Sequence, residues 1–231
     1  MKYTLGIDEV GRGCLAGPVY MTSVILDNSY PLLCSHTDNQ KYKHGAEIDF
    51  IRDSKKLNET NRNRVLELAI SQKVSYQIIH ASNKLIDKFG MGACLSHIVG
   101  ILIGLNAFPE QTNIIIDGKI TLLSLYNEDL LKALFKENNL APFELPNLQS
   151  INILRESKAD DRYLAVAMAS NIAKVIRDNH MKGLSLQYPE FGWDKNKGYG
   201  TVVNREAIKK DMENPYLRQS YLGNIRKSNN I

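Results

Sequence analysis

Two adjacent carboxylates close the first apolar run of the chain. Asp8 and Glu9 follow Tyr3 to Ile7, and the turn Gly11-Arg12-Gly13 comes almost directly after them. Carboxylates at the end of a strand can hold a hard divalent cation through oxygen ligands. Glycines let the backbone approach a phosphate or a sugar because no Cβ stands in the way, and arginine adds a fork of donors suited to phosphate. Metal ligands beside phosphate-binding groups predict metal-assisted chemistry on a phosphodiester.

Two further acids stand at the ends of other predicted elements. Asp117 follows the aliphatic run 114–116, and Asp160 precedes a long helical pattern, with Asp161 competing for its role. Each alone has a structural explanation, because Asp-Gly is a common hairpin turn and Asp is a common helix N-cap. The first pair can share a metal only where its strand ends, because neighbours on a regular strand point to opposite faces. Four acids at element ends, two of them beside glycines, nevertheless favour a metal site.

Basic and aromatic residues that could contact a nucleic acid lie in two predicted loops. Lys55 and Lys56 precede a predicted helix, a position suited to phosphate, although a solvated lysine pair is also common there. Lys197 and Tyr199 lie in a glycine-containing loop, where the tyrosine either anchors packing or contacts a sugar or base. The five histidines show no metal-ligand spacing, so zinc is not expected, and phosphate-loop and nucleophile-elbow motifs are absent from the sequence.

The bulk properties limit the class of protein. The 231 residues suit one large domain or one domain with an appendage, and the net charge of +4 permits a polyanionic partner without requiring one. Three scattered cysteines, Cys14, Cys34 and Cys94, predict reduced thiols in a cytosol. No signal-peptide pattern and no apolar run of membrane-spanning length is present, so a cytoplasmic protein is expected, with a monomer as the default.

Strands alternate with helices after an opening hairpin, which predicts an α/β fold with a mixed sheet. The predicted strands are 2–8, 18–26, 74–80, 113–116 and 148–154. The predicted helices are one capped by Asn58, then 93–105, 122–138, 160–180 and 204–212. The segment 27–52 is expected to leave the sheet, and 188–199 is expected to form a loop.

These motifs resemble those of ribonuclease HII. The matching segments are 6–13 with 16–19, 53–57, 117–118, 169–178 and 197–199. They follow the order of the family and span roughly residues 3–221. The resemblance implies an RNase H-like mixed sheet flanked by helices, with a catalytic domain over 1–185 and a C-terminal helical extension over 186–231. It also implies an endonuclease that cuts the RNA strand of RNA/DNA hybrids and nicks 5′ of ribonucleotides embedded in duplex DNA, leaving 3′-hydroxyl and 5′-phosphate ends.

The resemblance further implies roles for individual residues. The catalytic, metal-binding acids would be Asp8, Glu9, Asp117 and Asp160. They would hold Mn²⁺ or Mg²⁺ in a two-metal site. The substrate-binding residues would be Gly11, Arg12, Gly13, Lys55, Lys56, Lys197 and Tyr199. Among these, the glycine-arginine-glycine turn would contact the ribonucleotide and its phosphates, the lysines would contact phosphates, and the tyrosine would recognise the ribo-to-deoxyribo junction.

Three departures from the family pattern are visible. Gly200 stands where the family usually has proline, the segment before Asp53 is longer than usual, and the small apolar run 166–171 is altered. None of them touches an implied metal ligand. Two other interpretations stay open: a resolvase-type RNase H-like nuclease that cuts DNA without any ribonucleotide, and a non-catalytic nucleic-acid-binding module whose acids only form turns and caps.

Overall fold

A mixed five-stranded sheet lies at the centre of the computed structural model, which describes residues 2–27, 50–106 and 112–228. The strands are β1 (Tyr3–Val10), β2 (Val19–Asp27), β3 (Ser75–Ala81), β4 (Thr112–Asp117) and β5 (Ile153–Glu156). Their spatial order is β3-β2-β1-β4-β5. The first three strands pair antiparallel, whereas β4 runs parallel to β1 and β5 parallel to β4. The predicted mixed sheet with an opening antiparallel pair is confirmed.

Helices cover both faces of this sheet. The described α-helices are α1 (Glu59–Ser71), α2 (Asn83–Phe89), α3 (Met91–Leu105), α4 (Glu128–Glu137), α5 (Leu164–Gln187), α6 (Trp193–Asn196), α7 (Val202–Lys210) and α8 (Gly223–Ser228). One hydrophobic cluster joins the sheet to α2, α3 and α4, and a second joins it to α1 and α5. The predicted α/β fold class with flanking helices is therefore confirmed.

The alternation of side chains along β1 assigns its residues to the two faces. Leu5 and Ile7 are fully buried in the cluster that contains α3. Gly6 and Asp8 belong to the opposite face, which α5 covers. Ile115 of β4 packs against α5 on that same side. Asp8 therefore points toward α5 rather than into the larger apolar core.

Gly6 lets α5 approach β1 at backbone distance. A Cβ placed on Gly6 would lie 2.3 Å from the Val166 nitrogen and 2.4 Å from the Ala165 carbonyl carbon. Real Cβ atoms do not come so close to backbone atoms, so any side chain here would push the helix away from the strand. This close approach sets the height of α5, and of the turn that precedes it, above the end of β1.

The C-terminal helices form a third hydrophobic cluster against the end of α5. Phe191 and Trp193 are fully buried there, together with Met181 of α5 and Ala16 from the loop between β1 and β2. The predicted C-terminal helical extension is present. Because α5 continues to Gln187, the predicted domain boundary after residue 185 falls inside a helix, and the division into two domains stays a prediction.

Two predicted elements are wrong in extent. The predicted helix 122–138 begins only at Glu128, where the side chain of Asn127 caps it. The predicted strand 148–154 is a 3₁₀ turn, Leu148–Ser150, followed by β5. In both cases apolar residues pack on the α3 cluster from irregular backbone, so hydrophobicity alone extended the prediction too far.

The start of the long helix also differs from its prediction. Residues Ala159–Asp161 form a 3₁₀ turn, and α5 begins at Leu164 rather than near Asp160. The predicted cap at Asn58 is confirmed, because its side chain accepts a hydrogen bond from the Asn61 nitrogen at 2.8 Å.

Three other stretches complete the comparison with the sequence predictions. Helix α2 was not predicted. The expected loop 188–199 contains a 3₁₀ turn, Pro189–Phe191, and the short helix α6. The excursion predicted for 27–52 lies mostly outside the described residues, which leave out 28–49.

The structure also bears on the predictions about membrane-spanning segments and cysteines. No single helix in the described ranges is long and apolar enough to cross a membrane; α2 and α3 reach the required length and composition only as a pair bent by 113°. Cys14 and Cys94 are buried free thiols. Cys34 lies outside the described residues.

Replacing Gly6 by alanine should destabilise the protein. The added methyl group would overlap the backbone of α5, and overpacking of this kind costs about 1–3 kcal/mol, or about 2–4 °C of melting temperature per kcal/mol in a protein of this size. Thermal unfolding followed by circular dichroism measures the change. Gly183→Ala is the matched control, because a Cβ on this exposed glycine of α5 meets nothing within 4 Å. It should raise stability slightly, and equal melting temperatures for the two variants would contradict the packing argument.

Candidate active site

Three aspartates from three elements converge at one edge of the sheet. Asp8 comes from β1, Asp117 ends β4, and Asp160 lies in the 3₁₀ turn before α5. Ile7 pairs with Ile116 in the parallel ladder, so the next residues along, Asp8 and Asp117, stand side by side. One carboxylate oxygen from each aspartate lies within 4.8 Å of the others. The strand ends and the turn thus bring together acids far apart in the sequence.

Backbone and side-chain donors orient these carboxylates. An oxygen of Asp8 accepts a hydrogen bond from the Glu9 nitrogen at 2.7 Å, and one of Asp117 accepts from the Ala159 nitrogen at 2.7 Å. The hydroxyl of Ser170 on α5 is also a hydrogen-bond partner of Asp8. Each of the two carboxylates therefore has one oxygen held by the backbone, and only Asp8 has a further partner on α5.

Glu9 lies beside the three aspartates rather than within their group. Its side chain is 14% exposed, and its Oε1 lies 3.6 Å from the Arg12 guanidinium. Its other oxygen, Oε2, is buried and has no hydrogen-bond partner among the described residues. Burying a carboxylate oxygen without a hydrogen-bond donor costs free energy, and a bound cation would remove that cost.

Burial and mutual repulsion raise the pKa values of these acids. The pKa of Asp8 lies well above its usual value because the group is buried, with the charges of Glu9 and Asp117 as further causes. Burial, followed by the charges of Asp117 and Asp53, raises the pKa of Asp160 to about 7. Burial also raises the pKa of Glu9. Clustered, desolvated carboxylates with raised pKa values have the donor chemistry that hard divalent cations require.

A second acidic group distinguishes Asp160 from its neighbour Asp161. Oxygens of Asp53, Asp160 and Asp161 also lie within 4.8 Å of one another. Asp161 forms an ion pair with Lys56 at 2.5 Å. Asp160 alone belongs to both groups, so the structure brings Asp160, and not the competing Asp161, next to Asp8.

The turn at residues 11–13 presents its backbone beside these acids. Gly11 has a positive φ of 92°, which favours glycine, and a Cβ there would lie 2.1 Å from the Arg177 side chain. A Cβ on Gly13 would meet nothing within 4 Å, so the space above it is open. The Arg12 side chain is 52% exposed. The turn therefore has the open backbone and the exposed guanidinium that the sequence predicted.

Two buried arginines, which the sequence analysis missed, hold this turn and the loop that follows it. Arg177 of α5 donates hydrogen bonds to the carbonyls of Pro18 at 2.9 Å, Lys197 at 2.8 Å and Ala16 at 3.2 Å. Arg177 lies in the recognised motif 169–178, but its type alone suggested an exposed residue.

The second buried arginine comes from the C-terminal part of the chain. Arg218 donates from Nε to the Gly17 carbonyl at 2.9 Å and from Nη1 to the Arg12 carbonyl at 3.0 Å. Burial lowers its pKa to about 10, so it stays charged at neutral pH. No motif in the sequence pointed to Arg218, because the groups it bonds in the loop between β1 and β2 are backbone carbonyls.

Tyr199 stands next to the same turn. Its side chain is 42% exposed. Burial of part of the phenol raises its pKa, and the second cause is the thiol of Cys14, which directly follows Gly13. The Tyr199 side chain is therefore partly exposed and lies close to Cys14, the residue that follows the turn.

The three predicted lysine contacts differ in their surroundings. Lys55 is exposed in the 3₁₀ turn Ser54–Lys56, and Lys56 is half-exposed although it is paired with Asp161. Lys197 is buried, and its Nζ donates to the Asp194 carbonyl. A phosphate contact by Lys197 stays a prediction, and it would require the Nζ group to leave that carbonyl.

The metal-free protein should lose stability as the pH rises through neutrality. Because the pKa of folded Asp160 is about 7, its contribution is fully present below pH 4, the pKa of an unfolded aspartate, and is lost as the pH rises through 7. At pH 8 in EDTA the free energy of unfolding of Asp160→Asn should therefore exceed that of the wild type by about 1–2 kcal/mol, measured as a higher melting temperature, and this gain should shrink at pH 5. Mn²⁺ should stabilise the wild type more than the variant. The exposed Asp129→Asn is the control; an Asp160→Asn gain that did not depend on pH would contradict the electrostatic explanation.

Comparisons with known proteins identify the family. The ribonuclease HII family model matches residues 5–222. A ribonuclease HII from Clostridium perfringens (strain SM101) is 35% identical over 225 residues, which are 97% of this chain and 68% of that protein. The ribonuclease H2 of Pyrococcus horikoshii OT3 superposes with a TM-score of 0.66 at 22% identity, covering 99% of both chains.

A second solved structure resembles this fold. Bst-RNase HIII, determined in complex with Mn²⁺, superposes with a TM-score of 0.58 at 21% identity, covering 95% of this chain and 64% of that one. The family match over nearly the whole chain agrees with the acidic cluster and the flanking turn described above. The chain therefore belongs to the ribonuclease HII family of metal-dependent endoribonucleases.

Proposed function

We propose that this endoribonuclease cuts the RNA strand of RNA/DNA hybrids and nicks duplex DNA on the 5′ side of an embedded ribonucleotide, leaving 3′-hydroxyl and 5′-phosphate ends. The convergence of Asp8, Asp117 and Asp160 beside the Gly11-Arg12-Gly13 turn carries this proposal. Acids that can hold divalent cations then stand next to open backbone that a sugar-phosphate chain can approach. Neither group alone would distinguish this activity from that of another nuclease.

We assign the divalent cations to Asp8, Glu9, Asp117 and Asp160. The raised pKa values of Asp8, Glu9 and Asp160 and the partnerless Oε2 of Glu9 support the assignment, because cations would relieve both the repulsion and the unsatisfied oxygen. When bound, a pair of such cations supplies an activated water and stabilises the leaving 3′-oxygen of the cut strand. We propose Mn²⁺ or Mg²⁺, since both prefer carboxylate oxygens.

This chain's own groups would hold the acids in place during the reaction. Ser170 and the backbone nitrogens of Glu9 and Ala159 restrain the rotation of the Asp8 and Asp117 carboxylates. Because the acids are preorganised, little of the binding energy is spent on ordering them.

Selection of RNA over DNA requires a contact to the 2′-hydroxyl. We assign this contact to the backbone of the Gly11-Arg12-Gly13 turn together with Tyr199. Their adjacency through Cys14 and the open space above Gly13 support the assignment. Arg12 would contact the adjoining phosphate through its exposed guanidinium.

We further propose that Lys55 and Lys56 contact phosphates away from the reacting bond, which makes affinity depend on salt. Their exposure in the turn that precedes α1 supports this role, whereas Lys197 has it only if its Nζ leaves the Asp194 carbonyl. We propose a monomer acting in the cytoplasm, on the sequence grounds given above.

A cleavage assay on three duplexes tests the proposed activity. In Mn²⁺ or Mg²⁺ the protein should nick a DNA duplex with a single ribonucleotide and cut an RNA/DNA hybrid, and it should leave an all-DNA duplex intact. Asp8→Asn should slow nicking at least about 100-fold, because it removes a central cation ligand, while the exposed Asp129→Asn should not. Equal cutting of all duplexes would favour a resolvase-type nuclease, and no cutting in either metal would favour a binding module.

The turn should control substrate choice separately from chemistry. Arg12→Ala removes the exposed guanidinium but no cation ligand, so it should weaken binding of the ribonucleotide duplex about tenfold. It should not reduce metal-induced thermal stabilisation, because it removes a positive charge that lies 3.6 Å from Glu9 Oε1. Binding of the metal-free protein to labelled duplexes measures the first effect, and unfolding in Mn²⁺ measures the second. Lys132→Ala, an exposed lysine on α4, is the control. If Arg12→Ala bound the ribonucleotide duplex with wild-type affinity, the proposed contact between Arg12 and the substrate would be wrong.

A further inference from the structure

The backbone around Tyr199 is held by hydrogen bonds from one side chain and two backbone groups. Its carbonyl accepts from Asn204 Nδ2 at 2.8 Å and from the Thr201 nitrogen at 2.8 Å. Its nitrogen donates to the Asn196 carbonyl at 2.9 Å. The Asn204 bond is the one that joins Tyr199 to a fully buried side chain.

The other end of the Asn204 amide is fixed as well. Asn204 Oδ1 accepts a hydrogen bond from the indole nitrogen of Trp193 at 3.1 Å. Trp193 is fully buried and stacks on Phe191, with ring centroids 4.6 Å apart. A single amide therefore ties the Tyr199 carbonyl to a fully buried tryptophan of the C-terminal cluster, with its donor and its acceptor both used.

Gly200, the residue after Tyr199, does little to restrain the backbone of this loop. Gly200 constrains the backbone less than any other residue, and it stands where the family usually has proline. Arg205 Nε donates to the Gly200 carbonyl at 2.8 Å. Side chains at the start of α7, Asn204 above all, thus supply a restraint that the local backbone does not.

The position of Tyr199 matters because its ring adjoins the turn at residues 11–13. The Gly198 carbonyl accepts a hydrogen bond from the Leu15 nitrogen at 2.8 Å, and the phenol lies next to Cys14. A shift of the Tyr199 carbonyl would therefore move the ring relative to the backbone proposed to contact the ribose.

We infer that Asn204 is a positioning residue for Tyr199, and that its amide holds the tyrosine at the distance from the Gly11-Arg12-Gly13 turn that a ribo-to-deoxyribo junction requires. The inference rests on the proposed role of Tyr199 at that junction. Asn204 touches no part of the reacting bond and acts only through the tyrosine.

The variant Asn204→Leu tests this inference, because it keeps the shape of the side chain and removes both hydrogen bonds. On a duplex with a single ribonucleotide, KM should rise about fivefold and kcat should stay within about twofold of the wild type, since a lost positioning bond weakens junction binding without touching the acids. Asn138→Leu is the matched control. That amide bonds the backbone of β3 at His80 and does not contact the Tyr199 loop, so its loss should cost stability but leave KM unchanged.

A double variant separates positioning from general damage. In a Tyr199→Ala background, Asn204→Leu should raise KM no further, because the group it positions is gone. An additional, multiplicative rise would overturn the inference, as would wild-type KM for Asn204→Leu beside an impaired Tyr199→Ala. If Tyr199→Ala and Asn204→Leu both behave as wild type, the proposed role of Tyr199 fails and the inference fails with it.

A second variant keeps the test decisive if Asn204→Leu does not fold. Asn204→Asp retains the acceptor for Trp193 and, once ionised, presents an oxygen instead of a donor to the Tyr199 carbonyl, so KM is measured at a pH where the carboxyl is ionised. It should raise KM in the wild-type background and not in Tyr199→Ala. An unchanged KM in both backgrounds, with Tyr199→Ala itself impaired, would overturn the inference.

Discussion

The contact between Gly6 of β1 and the backbone of α5 fixes the geometry on which the site depends. Because no side chain separates strand from helix, the turn before α5 comes down to the end of the sheet and places Asp160 beside Asp8. The same helix carries Ser170 to the Asp8 carboxylate and, two turns later, Arg177 to the loop between β1 and β2. A change in the height of α5 would move the acids and the substrate turn together.

The charges at this site are arranged for a ligand and not for the stability of the protein alone. Burial and like charge raise the pKa values of Asp8, Glu9 and Asp160, whereas most acids that stabilise a fold are paired and have lowered pKa values. Asp161, next in the chain, shows the contrast, since it is paired with Lys56. Under the proposed assignment, bound cations would complete the electrostatics of the folded chain.

Local sequence patterns predict only part of this site. Asp8 and Asp117 follow apolar runs that mark their elements, so their positions were predictable, although β1 continues to Val10 instead of ending at Asp8 as predicted. The choice of Asp160 over Asp161 came from the family resemblance and not from a local pattern, because it depends on the 3₁₀ turn and on Lys56, which only folding brings together. The helix predicted from residue 122 failed for a related reason: apolar residues there pack on the core from irregular backbone.

The buried arginines lay beyond the reach of a single sequence. Arg177 and Arg218 donate hydrogen bonds to backbone carbonyls. Every residue has such a carbonyl, so residue types do not show which residues are the partners. Lys197 shows the converse, since its type suggested phosphate while its surroundings bury it. Partners that are defined by backbone atoms can be located only once the fold is known.

The turn at residues 11–13 and the loop that follows it are bound to residues that lie about 200 positions later in the chain. Besides the two bonds from Arg218, Gly17 donates to the Tyr216 carbonyl, and Ala16 forms a bridge with Leu217. On a ribosome, the acids up to Asp160 emerge well before this segment does. A nascent chain therefore cannot anchor the turn at residues 11–13 and the loop after it until residues 216–218 have left the ribosome.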